Sequence, residues 1–330
     1  MTEPVLSVRN LRVEFPTRRG TLVAVNDVSF DIMPGEVLGV VGESGAGKSL
    51  TGTSIVGLLE PPGRIGGGEI RLKGQRIDNL PAEALRRIRG KRIGMVFQDP
   101  LTSLNPLYTV GEQLIETVET HTDLSGQTAR NRAISLLAEV GIPAPQLRID
   151  DYPHQFSGGM RQRVVLALAL AGSPELVIAD EPTTALDVSV QAQIIALLRR
   201  LCREHHVAVM LITHDMGVIT ETADRVAVMY AGRIAEIGPV RDVVKSPFHP
   251  YTAGLMGSIP KLDGEAEHLV QISGSMPGLT SIPSGCSFHP RCPRAFAPCS
   301  VHRPNLADHD RSNVACWLYQ NAPDATEPVR

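Results

Sequence analysis

The sequence predicts an α/β fold built on a parallel sheet covered by helices. Three observations carry this reading. Short apolar runs, such as LVIAD at 176–180 and VAVMLITHD at 207–215, alternate with segments of helical period at 161–171 and 190–206. Strands that alternate with helices pair in parallel and are covered on both faces. A glycine-rich stretch from Gly42 to Ser49 stands between the apolar run 37–41 and a segment of helical length. The run LVIAD ends on two acidic residues, Asp180 and Glu181, and the carboxyl ends of strands are where open α/β sheets receive ligands.

Taken in order, residues 5–41 read as short strands over 6–15, 21–32 and 36–41, the last two parted by the turn Met33-Pro34-Gly35. A helix follows over 49–59. Residues 68–77 alternate as part of a hairpin, and Pro81 suits the first turn of a helix over 81–90. Helical period dominates 107–147, in 110–121 and 129–142. After the alternating helices and strands named above, 226–238 reads as a hairpin about Ala231-Gly232. From about Ser246 proline, glycine and serine become frequent and apolar periodicity fades, which marks a boundary within 246–260.

Composition bounds the function. Of 330 residues 42% are hydrophobic, enough for a substantial core. A net charge of -3, from 32 basic and 35 acidic residues without a long basic run, disfavours nucleic acid as the main partner. No stretch approaches the roughly 18 to 20 apolar residues that cross a bilayer. The N-terminus lacks the basic-then-apolar order of a signal peptide. The chain is therefore expected in the cytoplasm, reaching a membrane through a partner.

Gly42-Glu43-Ser44-Gly45-Ala46-Gly47-Lys48-Ser49 matches the Walker A pattern. Glycines let backbone N–H groups curl around phosphates, and the helix that follows aims its unpaired donors at the same charge. Lys48 is placed to reach the β- and γ-phosphates and Ser49 to ligate Mg²⁺. Gly42, Ser44, Gly45, Gly47 and Thr51 complete the expected nucleotide contacts. At the end of LVIAD, Asp180 is suited to the Mg²⁺ coordination shell and Glu181 to polarising an attacking water.

Between these elements lies Phe156-Ser157-Gly158-Gly159-Met160-Arg161-Gln162-Arg163, which resembles the signature sequence of ATP-binding cassette (ABC) proteins. Other elements stand in the family's order: Gln98 resembles the Q-loop glutamine, Ala185-Leu186-Asp187 the D-loop, His214 the switch histidine and Phe15 the adenine-stacking aromatic. The resemblance covers residues 5 to about 245. It implies a P-loop NTPase with a RecA-like parallel sheet core, an antiparallel β subdomain, an α-helical subdomain at about 99–160 and a small C-terminal extension. The nucleotide-binding domain is then 1–257 and the extension 258–330. It also implies a head-to-tail pair in which Ser157, Gly158 and Gly159 of one subunit meet the nucleotide held by the other. His214 would contact the γ-phosphate, Asp187 would serve the composite site, and Gln98 would join the Mg²⁺ shell and sense the nucleotide. Met160 and Phe156 depart from the usual glutamine and leucine, at positions whose side chains phosphate contact does not need.

QDPLTSLNPLYTVGEQL and the segment Ser246 to Thr252 (SPFHPYT) resemble the oligopeptide and dipeptide importer branch. The resemblance implies an ATPase energising a peptide importer, on the cytoplasmic face of the inner membrane. A similar but distinct ATPase subunit, giving a heterodimer, two permease subunits and an external solute-binding protein are the implied partners. An ATPase of a nickel or oligosaccharide importer is the alternative, and a soluble ABC ATPase outside transport a further one.

Five residues separate Cys286 from Cys292, six separate Cys292 from Cys299 and sixteen separate Cys299 from Cys316. Zinc ribbons use tighter pairs, and four thiolates suit a cubane iron–sulfur cluster, which the resemblance also implies for some of that branch. Zinc and merely reduced thiols stay open, with His289 and His302 as substitute ligands. Cys202 reads as a small apolar residue on a helix.

Overall fold

Runs that are apolar on both faces must be covered on both faces, and those read from the sequence form the interior. The computed structural model describes residues 3–183, 186–258 and 271–322. The contacts divide them into two units, each drawn from several segments. The first takes the residues up to Ser7, then Asp31–Val37 and Arg71–Ile212; the second takes Val8–Phe30, Leu38–Ile70 and the chain from Thr213 onward.

In the first unit three strands, Ile93–Val96, Leu176–Asp180 and Ala208–Ile212, pair in parallel, with Val96 opposite Ala179 and Asp180 opposite Ile212. Leu176–Asp180 and Ala208–Ile212 are buried throughout, as two-sided coverage requires. Helices follow where the 3.6-residue period was read. Val110–His121 starts at a capping box, in which Thr109 Oγ1 accepts from the Glu112 N–H and a Glu112 carboxylate oxygen accepts from the Thr109 N–H. Val188–His205 buries Ile194, Ile195, Leu197, Leu198, Leu201 and Cys202 along one stripe. Cys202 is 2% exposed and its thiol donates to the Val207 carbonyl, in keeping with a packing role.

In the second unit Leu38 to Val41 pair in parallel with Arg225 to Val228. Arg225–Tyr230 returns through Ala231-Gly232, both with positive φ, into the antiparallel strand Arg233–Pro239, the turn geometry that matches strand twist. Two short strands of the extension continue this pairing: Ser312–Val314 lies on Arg233–Pro239, and Ala307–His309 on Ser312–Val314. Gly20–Ile32, Leu6–Thr17 and Arg64–Leu72 are neighbours in a separate sheet, in that order, as the expected β subdomain requires.

Several boundaries differ from the sequence reading. The helix after the glycine-rich loop runs Lys48–Ile55, not 49–59, because Gly57 takes a left-handed φ of 66° that ends it. The helix expected from Pro81 starts at Ala82, with Pro81 extended at the N-cap. The strand expected at 207–215 stops at Ile212, and Asp215 instead caps a helix over Met216–Thr222, accepting from the N–H groups of Gly217 and Val218. Neither that helix nor the strand Ile93–Val96 was legible as a separate period. The extension, read as an appendage without periodicity, supplies two paired strands, each only three residues long and so too short for a period to register.

Candidate functional site

In the second unit the strand Val37–Val41 delivers the chain into the loop from Gly42 to Gly47. Gly42 has φ 151°, and a Cβ there would lie 2.3 Å from the Met229 carbonyl oxygen, so no other residue fits. Gly47 caps the following helix in the left-handed region. The loop is tied to its surroundings by Gly232, whose N–H donates to the Ala46 carbonyl at 2.9 Å. Lys48 is 6% exposed, and its ammonium donates to the carbonyls of Gly42 (2.8 Å) and Glu43 (3.2 Å), which suspends the charge over the loop. Ser44, Gly45 and Ser49 are exposed at the mouth. Thr51 is fully buried and donates to the Gly47 carbonyl at 2.9 Å, supporting the loop from behind. A glycine-rich turn, a helix N-terminus and one fixed ammonium are the features by which proteins cradle phosphates.

In the first unit Asp180 ends its strand 9% exposed. Glu181 follows with φ 47°, a left-handed backbone rare for a residue with a side chain, and its N–H donates to the Ile212 carbonyl at 2.8 Å. Gln98 Nε2 donates to Glu181 Oε2 at 3.1 Å, so two residues expected at the nucleotide, in different roles, are in contact. Ser157 is the N-cap of Gly158–Leu170, its Oγ accepting from the Met160 N–H at 3.3 Å. Ser157 and Gly158 are exposed. Phe156 is 2% exposed, and the Arg148 guanidinium lies 6.0 Å from its ring centroid, so the larger side chain is absorbed by packing. Asp187 is exposed at the N-cap of Val188–His205. Of the D-loop, Ala185 lies outside the described residues.

His214 is exposed just after Thr213 in the second unit. Phe15 is half-buried there, its ring against Gly63, where a Cβ would meet Cε1 at 2.7 Å.

The four C-terminal cysteines line one recess, together with His289, Arg294 and Trp317. Burial pushes the Cys286 thiol up to about 11, and the neighbouring cysteines push it the same way. Cys292 and Cys316 are raised from the same leading cause. A cation is what would bring such thiols to thiolates. Among the described residues no three His, Cys, Asp or Glu side chains are gathered as ligands of a single ion. Thiolates at about 2.3 Å from one zinc would lie within roughly 4 Å of each other. Four thiols lining one recess are the donor type that an iron–sulfur cluster takes. His302 is buried, and its carbonyl accepts from Trp317 Nε1 at 2.9 Å.

Sequence reasoning missed a buried frame behind the loop. Glu236 is 0% exposed, and its two carboxylate oxygens accept from the N–H groups of Phe248 and His249 at 3.0 and 2.9 Å. Burial raises its pKa. His249 caps the helix Pro250–Gly257, its Nδ1 accepting from the Tyr251 N–H at 3.0 Å. Burial pushes the His249 imidazole down to about 4. Tyr251 is 0% exposed. The signal that pointed here was SPFHPYT, read as a label of resemblance and not as a cap.

A glycine-rich loop opening a helix, an acidic pair ending a parallel strand and a serine-capped SGG turn define an ATP-binding cassette. Residues 25–184 match the family model for "ABC transporter". Residues 235–299 match that for "Oligopeptide/dipeptide transporter, C-terminal region". The chain is 51% identical over 318 residues to the dipeptide transport ATP-binding protein DppD of Bacillus subtilis, covering 96% of this chain and 95% of that one. It is 49% identical over 302 residues to the oligopeptide transport ATP-binding protein OppD of Escherichia coli, covering 92% and 89%. A dimeric ATP-binding cassette solved in a post-hydrolysis state with ADP and Pi superposes with a TM-score of 0.64 at 29% identity, over 72% of this chain and 99% of that chain. The chain belongs to the ABC transporter ATPases, in the family of oligopeptide and dipeptide transport ATP-binding proteins.

Proposed function

We propose that this chain binds and hydrolyses ATP to energise a membrane importer of di- or oligopeptides. The observation that carries the reading is one chain holding both a phosphate-binding loop and an extension of the oligopeptide/dipeptide type, similar over nearly its whole length to peptide-transport subunits. Among the described residues no helix is long and apolar enough to cross a membrane. The substrate path then belongs to partners: two permease subunits, an external solute-binding protein and a second, similar ATPase, met at the cytoplasmic face of the membrane.

In this reading the loop N–H groups and Lys48 take the phosphates, and Phe15 takes the adenine. Ser49, Asp180 and Gln98 carry the oxygen donors that a Mg²⁺ ion accepts, whose charge offsets that of the phosphates. Glu181, oriented by Gln98, holds and polarises the attacking water. Its left-handed backbone is the kind of local strain that active sites retain. Ser157 and Gly158, exposed at a helix N-terminus, and the half-buried Gly159 beside them serve the nucleotide of the paired subunit along with Asp187, and His214 attends the γ-phosphate. The nucleotide-binding domain is 1–257 and the extension 258–330, whose Cys286, Cys292, Cys299 and Cys316 hold a [4Fe–4S] cluster. What supports the cluster is that four thiols line one recess.

The test is uptake by the transporter rebuilt from this chain and its neighbouring gene products in vesicles. ATP-dependent accumulation of labelled di- and tripeptides is expected. Accumulation of nickel or an oligosaccharide in place of peptides would overturn the assignment of solute.

A further inference from the structure

The loop that takes the phosphates is held from outside by the extension. Glu43, the second residue of the loop, is bound at both its backbone and its side chain. Its N–H donates to Tyr251 Oη at 2.9 Å. Its two carboxylate oxygens each accept from Arg291 Nη1 at 3.1 Å. The Arg291 side chain is only 8% exposed, and that of Glu43 is 27% exposed. The other guanidinium nitrogens of Arg291 are anchored within the extension: Nε donates to the Ser273 carbonyl at 2.8 Å and Nη2 to the Gly274 carbonyl at 3.3 Å. Nη1 also donates to Tyr230 Oη at 3.3 Å. The guanidinium lies 5.8 Å from the Tyr230 ring centroid and 6.0 Å from that of Phe288. Tyr230, Tyr251 and Phe288 pack on one another with centroids 4.7 to 5.4 Å apart.

Two physical consequences follow. A carboxylate in a phosphate-binding loop opposes a polyanion, and Arg291 both neutralises it and holds it aside. Fixing the loop before the ligand arrives also removes ordering entropy from the binding step. Arg291 ends the short turn His289–Arg291, which lies between Cys286 and Cys292. The residue that restrains the loop is thus placed by the segment that lines the cysteine recess.

We propose that Arg291 is a positioning residue for the phosphate-binding loop, through which the C-terminal extension sets the affinity for ATP. This rests on the loop being the nucleotide site. Coupling of this kind is reciprocal, so nucleotide in the loop must also bear on the extension. The single tryptophan of the chain, Trp317, lines the recess and reports there.

The test uses the full chain, with Mg-ATP affinity read from a fluorescent ATP analogue and the extension read from Trp317 emission. Arg291→Ala is expected to weaken ATP binding about fivefold to tenfold, raising KM while kcat at saturating ATP is largely kept. In a Glu43→Gln background the same substitution is expected to cost no more than about twofold, because the charge that Arg291 offsets is gone. ATP should shift Trp317 emission in the parent protein and leave it unmoved in Arg291→Ala, even where the analogue reports full occupancy. Unchanged affinity in Arg291→Ala, an equal loss in the Glu43→Gln background, or a persisting Trp317 response would each overturn the proposal. Should Arg291→Ala unfold the extension, Arg291→Lys decides, since an ammonium cannot keep all of these partners: an intermediate loss supports the proposal and parental affinity overturns it. Lys48→Ala separates the two readings. If it too leaves ATP binding intact, the nucleotide site itself is misassigned; if it abolishes binding, the outcomes above bear on Arg291 alone.

Discussion

Gln98 reaches Glu181 across 83 positions of sequence and donates to its carboxylate at 3.1 Å. With the Glu181 N–H on the Ile212 carbonyl, this fixes both the backbone and the tip of the residue proposed to polarise water. Glu181→Gln keeps the size of the side chain and removes the base. Turnover in the assembled transporter is expected to fall about 10²- to 10⁴-fold with ATP affinity retained, measured as phosphate release and as binding of labelled ATP. Unchanged phosphate release would remove Glu181 from the chemistry.

Ser157→Ala removes the acceptor that caps Gly158–Leu170, costing about 1 kcal/mol of helix stability. Because Ser157 and Gly158 face solvent, nucleotide affinity of the isolated subunit is expected to stay within about twofold, as for a surface change. ATP-driven association with the paired subunit is expected to fail, as read by light scattering. Loss of binding by the lone subunit would place the turn at its own nucleotide and end the head-to-tail reading.

His249 gives the buried frame behind the loop a pH dependence whose expected sign follows from its burial. Its pKa is near 4 in the fold against an ordinary 6.5, so the unfolded chain takes up the proton first. Its contribution to stability is present above pH 6.5 and is lost as pH falls towards 4, to the extent of about 3 kcal/mol. The raised pKa of Glu236 acts oppositely, since its carboxyl favours folding at low pH and loses that contribution as pH rises above its ordinary 4.5. His249→Asn keeps a cap acceptor without a titrating ring. The difference between parent and variant in urea melts across pH 4 to 6.5 is expected to isolate the histidine, and a constant difference would refute its role.

Protein purified without oxygen is expected to be brown and to contain iron and sulfide. Cys292→Ser is expected to lose both, and to make residues 286–316 susceptible to protease while the rest of the chain stays resistant. Metal analysis and limited proteolysis check the two halves separately. Zinc in place of iron would replace the cluster with a different site.

The proposed nucleotide site is legible in the sequence because its chemistry is local. Phosphates demand consecutive glycines and one lysine on a helix start, so Gly42 to Ser49 announce themselves without neighbours. Ser157-Gly158-Gly159 and the acidic end of LVIAD do likewise, and the two-sided strands follow from runs that cannot face water. Tertiary structure decided what depends on distant partners. Gly57 ends a helix that composition would have continued. Asp215 turns an apparent strand into a cap. Four cysteines spaced six, seven and seventeen positions apart come to share one recess. Tyr251 and Arg291 lie 208 and 248 residues from Glu43, a separation at which no periodicity carries a signal. Their contact exists only because burying an arginine and a tyrosine hydroxyl leaves donors and acceptors that must be satisfied, and the phosphate-binding loop is what the fold presents to satisfy them.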